Sequence, residues 1–289
     1  MVRILAAAVV LFVAGTVRAQ VNTYQYQTEE PSYSAEVLFS RGNGALEART
    51  VDGNVANSSY QNDSIQLGLN GNILPELKYK AGVSFLKRSF ENGSDAYSVS
   101  GLSDVGGSLW ALSTFDTFIL DYGISSTLSV APARFEFANG DGTGNRRWRN
   151  NYSGYNSYRA FVGSNFAIGQ VDAGVRGNLT WYQSRISTDT MGYIAETSRD
   201  KTGVGGEAFM EVPMYKGVRV GISTGFESSA PNFDSISNAE QINSVYSSVY
   251  GKYKYDTETS FILGVASQNK SIFYQADGTD LTLGVARSL

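Results

Sequence analysis

Apolar and polar residues alternate with a period of two along almost the whole chain. That spacing sets one kind of side chain on each face of an extended strand, and it cannot build the 3.6-residue apolar stripe of an amphipathic helix. In FILDYGISSTLSV, Phe118, Leu120, Tyr122, Ile124, Leu128 and Val130 share a face, opposite Asp121, Gly123, Ser125, Thr127 and Ser129. In VDAGVRGNLTW, Val171, Ala173, Val175, Leu179 and Trp181 oppose Asp172, Gly174, Arg176, Asn178 and Thr180. Val218, Val220, Ile222 and Phe226 oppose Arg219, Gly221, Ser223 and Gly225. The pattern recurs around 33–42, 62–73, 76–88, 104–114, 156–168, 203–213, 242–255, 258–267 and 280–289, giving twelve expected strands.

The connections fall into two classes. After even-numbered strands they are tight: ILP at 73–75, FD at 115–116, Gly169-Gln170, MYK at 214–216 and DTE at 256–258. After odd-numbered strands they are long and polar, as in 133–154 and 185–202. Facing residues of an antiparallel pair share a side, so turn length must agree with the face assignments. A Gly-first two-residue turn at 169–170 pairs Ile168 with Val171 and Ala167 with Asp172, like with like. A three-residue turn at 214–216 would pair Val212 with Val218 and Glu211 with Arg219, and the ILP turn would set Asn70 opposite Lys78. An even-stranded meander with short turns at one end and long loops at the other is the pattern of a transmembrane barrel. The expectation is an all-β, 12-stranded antiparallel up-and-down transmembrane β-barrel with short periplasmic turns and long extracellular loops.

A soluble sandwich also alternates, but its polar faces meet bulk water and tend to carry many Lys and Glu. Here the polar faces hold mostly Gly, Ser, Thr, Asn and Gln, and charged residues make up only 17% of the chain. Aromatics such as Tyr79, Phe118, Tyr158, Trp181, Phe226, Tyr253 and Tyr255 gather towards strand ends, as membrane-interface girdles do. Residues 1–19, with Arg3, an apolar run and VRA before Gln20, have the form of a secretory signal peptide. Residues 20–31 are expected to be a periplasmic segment or a plug folded into the barrel, and 32–289 the barrel itself. Removing Arg3 and Arg18 takes the net charge from -4 to -6, which argues against a nucleic-acid partner.

Signal peptide, even-numbered meander, asymmetric loops and an alternating last strand together resemble Gram-negative outer-membrane β-barrel proteins of the porin-like kind. GLSDVGGSLW (101–110), leading into FILDYGISSTLSV, is similar to a segment in transporters of the phenol meta-pathway type. The resemblance implies a cell outer membrane location, passage of small solutes, periplasmic termini, and insertion by the barrel-assembly machinery through the C-terminal strand. Members of this group commonly end in an aromatic residue, whereas Leu289 ends this chain and Arg287 stands two positions earlier.

The chain has no His and no Cys. Ser-His nucleophilic catalysis and His or Cys metal sites are thereby excluded, so neither enzyme activity, cofactor nor metal is expected. NGDGTGN (139–145) has the alternating oxygen donors of a calcium loop, but its twelfth position is Asn150 and not Glu. The polar faces carry Glu36, Asp121, Asp172, Glu207 and Glu211 against Lys78, Lys80, Arg159, Arg176, Arg219, Lys252 and Lys254. These lining residues either brace the wall in pairs, such as Glu211 with Arg219 or Glu207 with Arg176, or bias a narrow channel towards anions. Twelve strands lie between a barrel filled by side chains and one with a wide pore. The expected function is a channel or transporter for small solutes, anions included; the alternative is a closed barrel acting in surface interaction or envelope structure through its loops. The basic loop Arg146, Arg147, Trp148 and Arg149 is solvated, grips lipopolysaccharide phosphates, or guards the channel mouth.

Overall fold

The computed structural model describes residues 33–49, 55–92, 95–131, 135–137, 146–148, 155–184, 201–230, 242–271 and 274–288. The expected signal peptide, the 20–31 segment, the 139–145 loop, Arg149 and Leu289 lie outside them. Twelve strands close into one antiparallel barrel: β1 (Tyr33–Arg49), β2 (Val55–Leu74), β3 (Leu77–Asn92), β4 (Asp95–Thr114), β5 (Ile119–Leu128), β8 (Tyr155–Ile168), β9 (Val171–Ser184), β10 (Lys201–Tyr215), β11 (Val218–Ala230), β12 (Ile242–Lys254), β13 (Thr259–Ser271) and β14 (Tyr274–Ser288). Each pairs with its sequence neighbours, except that β5 pairs with β8. A small hairpin of β6 (Phe135–Phe137) and β7 (Arg146–Trp148) interrupts that connection, and β7 carries three of the four expected basic-loop positions.

Closure is made by β1 and β14, from Ser34 opposite Ser288 to Ala48 opposite Tyr274. The closed sheet thus has no open edge, the condition for strands to cross a lipid core. The outer face is apolar. Phe39, Leu67, Leu69, Tyr122, Ile124, Val162, Val175, Leu179, Val204, Ile222, Val249, Leu263, Leu281 and Leu283 are all exposed, each on the outward phase of its strand. So continuous an apolar wall is stable only against lipid. Aromatic contacts mark the two borders: Phe115 stacks on Phe118 and Tyr255 meets Tyr253 and Phe261 at the short-turn end, while Tyr158 stacks on Trp181 near the other. Arginine in the middle of this wall is expected to cost about 2–4 kcal/mol. Leu67→Arg should therefore lower the temperature at which the folded gel band converts to the unfolded one, whereas Leu74→Arg at the rim should leave it nearly unchanged.

The turns follow local chemistry. Gly169 (φ 65°) and Gly217 (φ 72°) supply the left-handed residues of two hairpins. At 256–259 the Asp256 carboxylate accepts the N–H groups of Glu258 (2.8 Å) and Thr259 (2.6 Å), which holds its carboxyl below the usual carboxylate range. Ile168 pairs with Val171 and Ala167 with Asp172, as expected. Two other registers differ from expectation by two residues. Bulges at 72–74 and 213–215 set Lys78 opposite Asn72, with Lys80 opposite Asn70, and Arg219 opposite Pro213, with Glu211 opposite Gly221. A two-residue shift preserves the face of every side chain.

The larger departure concerns β1–β4. β2 and β4 run 20 residues each, about twice what a tilted membrane crossing needs. The expected long connection after the third strand shrinks to residues 93–94. Above the membrane the outward positions turn polar, as Lys87, Ser89, Ser98 and Ser100 do, while Phe90 stacks on Tyr97 inside, so the apolar-outside alternation that marks a strand below is lost there. A bulge adds to this: Val83 faces Val105 but Phe85 faces Leu102, so 103–104 oppose Ser84 alone and the alternation of β4 changes phase.

Candidate functional site

The barrel interior gathers the charged residues. All the lining candidates fall on the inward phase: Glu36, Lys78 and Lys80 on β1 and β3, Asp121 on β5, Arg159 on β8, Asp172 and Arg176 on β9, Glu207 and Glu211 on β10, Arg219 on β11, Lys252 and Lys254 on β12, the last exposed at the short-turn rim. The same registers bring in residues absent from the expected set. Arg88, Asp104, Glu227 and Asp280 also face inward, Asp104 and Glu227 buried. Three of these four are acids, which offsets the excess of bases in the expected set.

These charges meet in chords across the interior as well as along the wall. Arg219 holds both Glu211 on the neighbouring β10 and Asp172 on β9, one strand further. Glu211 is fully buried and also accepts the Tyr250 hydroxyl at 2.9 Å from β12. Arg176, beside its register neighbour Glu207, reaches past β8 to the buried Asp121 on β5, with its guanidinium 4.3 Å from the Phe161 ring centre. Arg159 donates to Thr180 (3.0 Å) and reaches over two strands to Glu227 (3.1 Å), which Tyr182 also holds. On the opposite wall Lys80 pairs with Glu36 at 2.5 Å, and Asn70 donates to the same carboxylate at 3.3 Å. An opposite charge within contact offsets the desolvation that each buried ion suffers.

Glycine makes room for the aromatic part of this lining. A Cβ on Gly221 would lie 2.3 Å from the Tyr250 ring, and one on Gly123 would lie 2.5 Å from Cβ of Trp110. The Tyr250 ring lies over bare backbone of the adjacent strand, which brings it inward without pushing the strands apart. Trp110, only 5% exposed, presents an indole Nε1 with no hydrogen-bond acceptor among the described residues. Among the described residues no group of three or more His, Cys, Asp or Glu is arranged to hold a metal ion. Asp104 shares the inward phase of Gly106, Ser108 and Trp110 and stands at the bulge where that phase ends, so the spacing could have found it. Glu227 was discoverable, since it extends the Arg219–Gly225 phase by one step.

No protein-family model and no curated protein matches the sequence. Solved structures match in fold. An outer-membrane channel from Pseudomonas putida F1 superposes with a TM-score of 0.64 at 12% identity, covering 93% of this chain and 99% of that one. The NanC porin gives 0.54 at 8% identity over 87% and 100% of the two chains. The translocator domain of the autotransporter NalP from Neisseria meningitidis gives 0.52 at 9% identity over 99% and 94%. This chain has the fold of the outer-membrane β-barrels.

Proposed function

We propose that this barrel is a narrow outer-membrane channel for small polar solutes. The observation that carries the reading is the lining itself: a closed barrel with a lipid-compatible outside encloses a belt of charged, hydroxyl and amide groups. Lipid-facing order alone does not require so polar an interior, whereas a solute exchanging its water for protein groups does. The Arg219–Asp172–Glu211 and Arg176–Asp121 clusters lie near the short-turn ends of their strands, in the periplasmic half. The Trp110 indole N–H is a donor that a passing solute or water would satisfy. Barrels called a channel and a porin share the fold, which agrees with this reading.

Purified protein in planar bilayers should give small, discrete conductance steps. A sealed bilayer at all voltages would refute the channel. In a salt gradient the reversal potential should be small, since the inward acids and bases named above balance; the sequence count alone had pointed to anions. Strong preference for either ion would overturn the balanced lining. The second reading is a closed barrel serving surface interaction, favoured by the full burial of Glu211 and Tyr250 in the interior. The same conductance measurement separates the two.

A further inference from the structure

The registers of β14, β1, β2, β3 and β4 align two rows on the outer wall. The lower is apolar: Leu283, Phe39, Ile65, Phe85 and Leu102 lie side by side. The row directly above it reads Leu281, Arg41, Asp63, Lys87 and Ser100. Arg41 donates to Asp63 at 2.9 Å, and Gln61 donates to its other oxygen at 2.9 Å. Asp63 thus stands between two cations and steadies one of them, with one positive charge left over. Arg41 stays 61% exposed on the outward side. The apolar-to-charged step marks the height at which hydrocarbon gives way to headgroups.

The wall is recessed here. A hollow of about 640 Å³ is lined by Phe39, Ile65, Phe85 and Leu283 below and by Arg41 and Lys87 above. Its flank is formed by β4, where the bulge at 103–104 breaks the ladder and the small Ser100 stands beside Lys87 in the charged row. Above the charged row the outward positions Thr279, Asn43, Gln61, Ser89 and Ser98 are polar, and β1–β4 continue to Arg49, Val55, Asn92 and Asp95. A strand rises roughly 3.3 Å per residue, so at barrel tilt this wall stands about 20 Å above Arg41.

We infer that this recess on the outer wall of β14–β4 is a binding site for one lipopolysaccharide molecule of the outer leaflet. Its acyl chains lie against the Phe39–Ile65–Phe85 row, a lipid A phosphate meets Arg41 and Lys87, and the inner sugars stand against the polar extension of β1–β4. The extension is what selects this occupant: a glycerophospholipid headgroup ends near the charged row and leaves that polar wall uncovered. Basic side chains at a membrane surface attract anionic lipid, and apolar surface beside them adds the chain contact.

The test is native mass spectrometry of the purified full chain in detergent, titrated with lipopolysaccharide. One molecule should bind, and the variant Arg41→Gln with Lys87→Gln should bind roughly thirtyfold more weakly. Both positions are exposed on the outer wall, so the variant should keep the folded gel mobility of the parent. Chemically dephosphorylated lipopolysaccharide should bind the parent as weakly as the intact lipid binds the variant, and phosphatidylglycerol should not displace the intact lipid. Replacing Arg146, Arg147 and Arg149 with Gln should leave the affinity unchanged. Equal affinity of parent and double variant, displacement by phosphatidylglycerol, or loss of binding in the loop variant would each overturn the assignment.

Discussion

Arg219→Leu should lower the thermal stability of the barrel more than any other single change in its interior. The side chain holds Glu211 and Asp172, and Glu211 is fully buried. Removing one partner of a buried ion pair leaves an uncompensated charge at a cost of about 3–5 kcal/mol, whereas removing all the partners together is often close to neutral. The expected result is a steep fall in the temperature of the gel-mobility transition for Arg219→Leu. Much of it should be recovered in the triple variant with Glu211→Leu and Asp172→Asn. Arg219 is also the least covered of the chord arginines, its side chain 27% exposed against 14% for Arg176. Conductance should therefore change more for Arg219→Gln than for Arg176→Gln. A variant Arg219→Leu that melts with the parent would show that the chord does not brace the wall.

Deleting residues 274–289 should abolish the folded barrel altogether. β14 is the strand that joins β13 to β1, with partners from Tyr274 to Ser288 on β1 and from Gly278 to Arg287 on β13. Without it two long edges face lipid, and each unsatisfied backbone group there costs several kcal/mol. The check is membrane fractionation together with gel mobility: the truncated chain should be absent from the folded outer-membrane fraction. Recovery of a heat-modifiable, membrane-inserted eleven-stranded product would contradict the closure. The same registry explains Arg287. It faces outward at the periplasmic rim and pairs with Glu258 at 3.5 Å, which satisfies a charge that would otherwise have to snorkel to headgroups.

Strand existence and side-chain facing were legible because both depend on a period of two within a single segment. Phe118 to Val130 and Val171 to Trp181 show this, and a two-residue error in a turn, as at 214–216, leaves every face unchanged. Even the inward phase of each lining candidate could be read this way. The alternation loses its force where lipid ends. At 89–103 nothing requires the outward side chains to be apolar, so the upper halves of β3 and β4 read as a polar loop.

What alternation decides is which side of the wall a residue occupies, because that follows from local backbone geometry and from the requirement that lipid meet apolar atoms. It decides neither height nor partner. That Arg176 reaches Asp121 beyond β8 depends on strand tilt, stagger and the curvature of the closed sheet, which bring residues 55 positions apart in sequence into contact. The bulge at 103–104 likewise shifts β4 against β3, which decides which residues of β4 stand beside Arg41 and Lys87. Face was a property of each strand taken alone, and partnership became one only when the twelfth strand met the first.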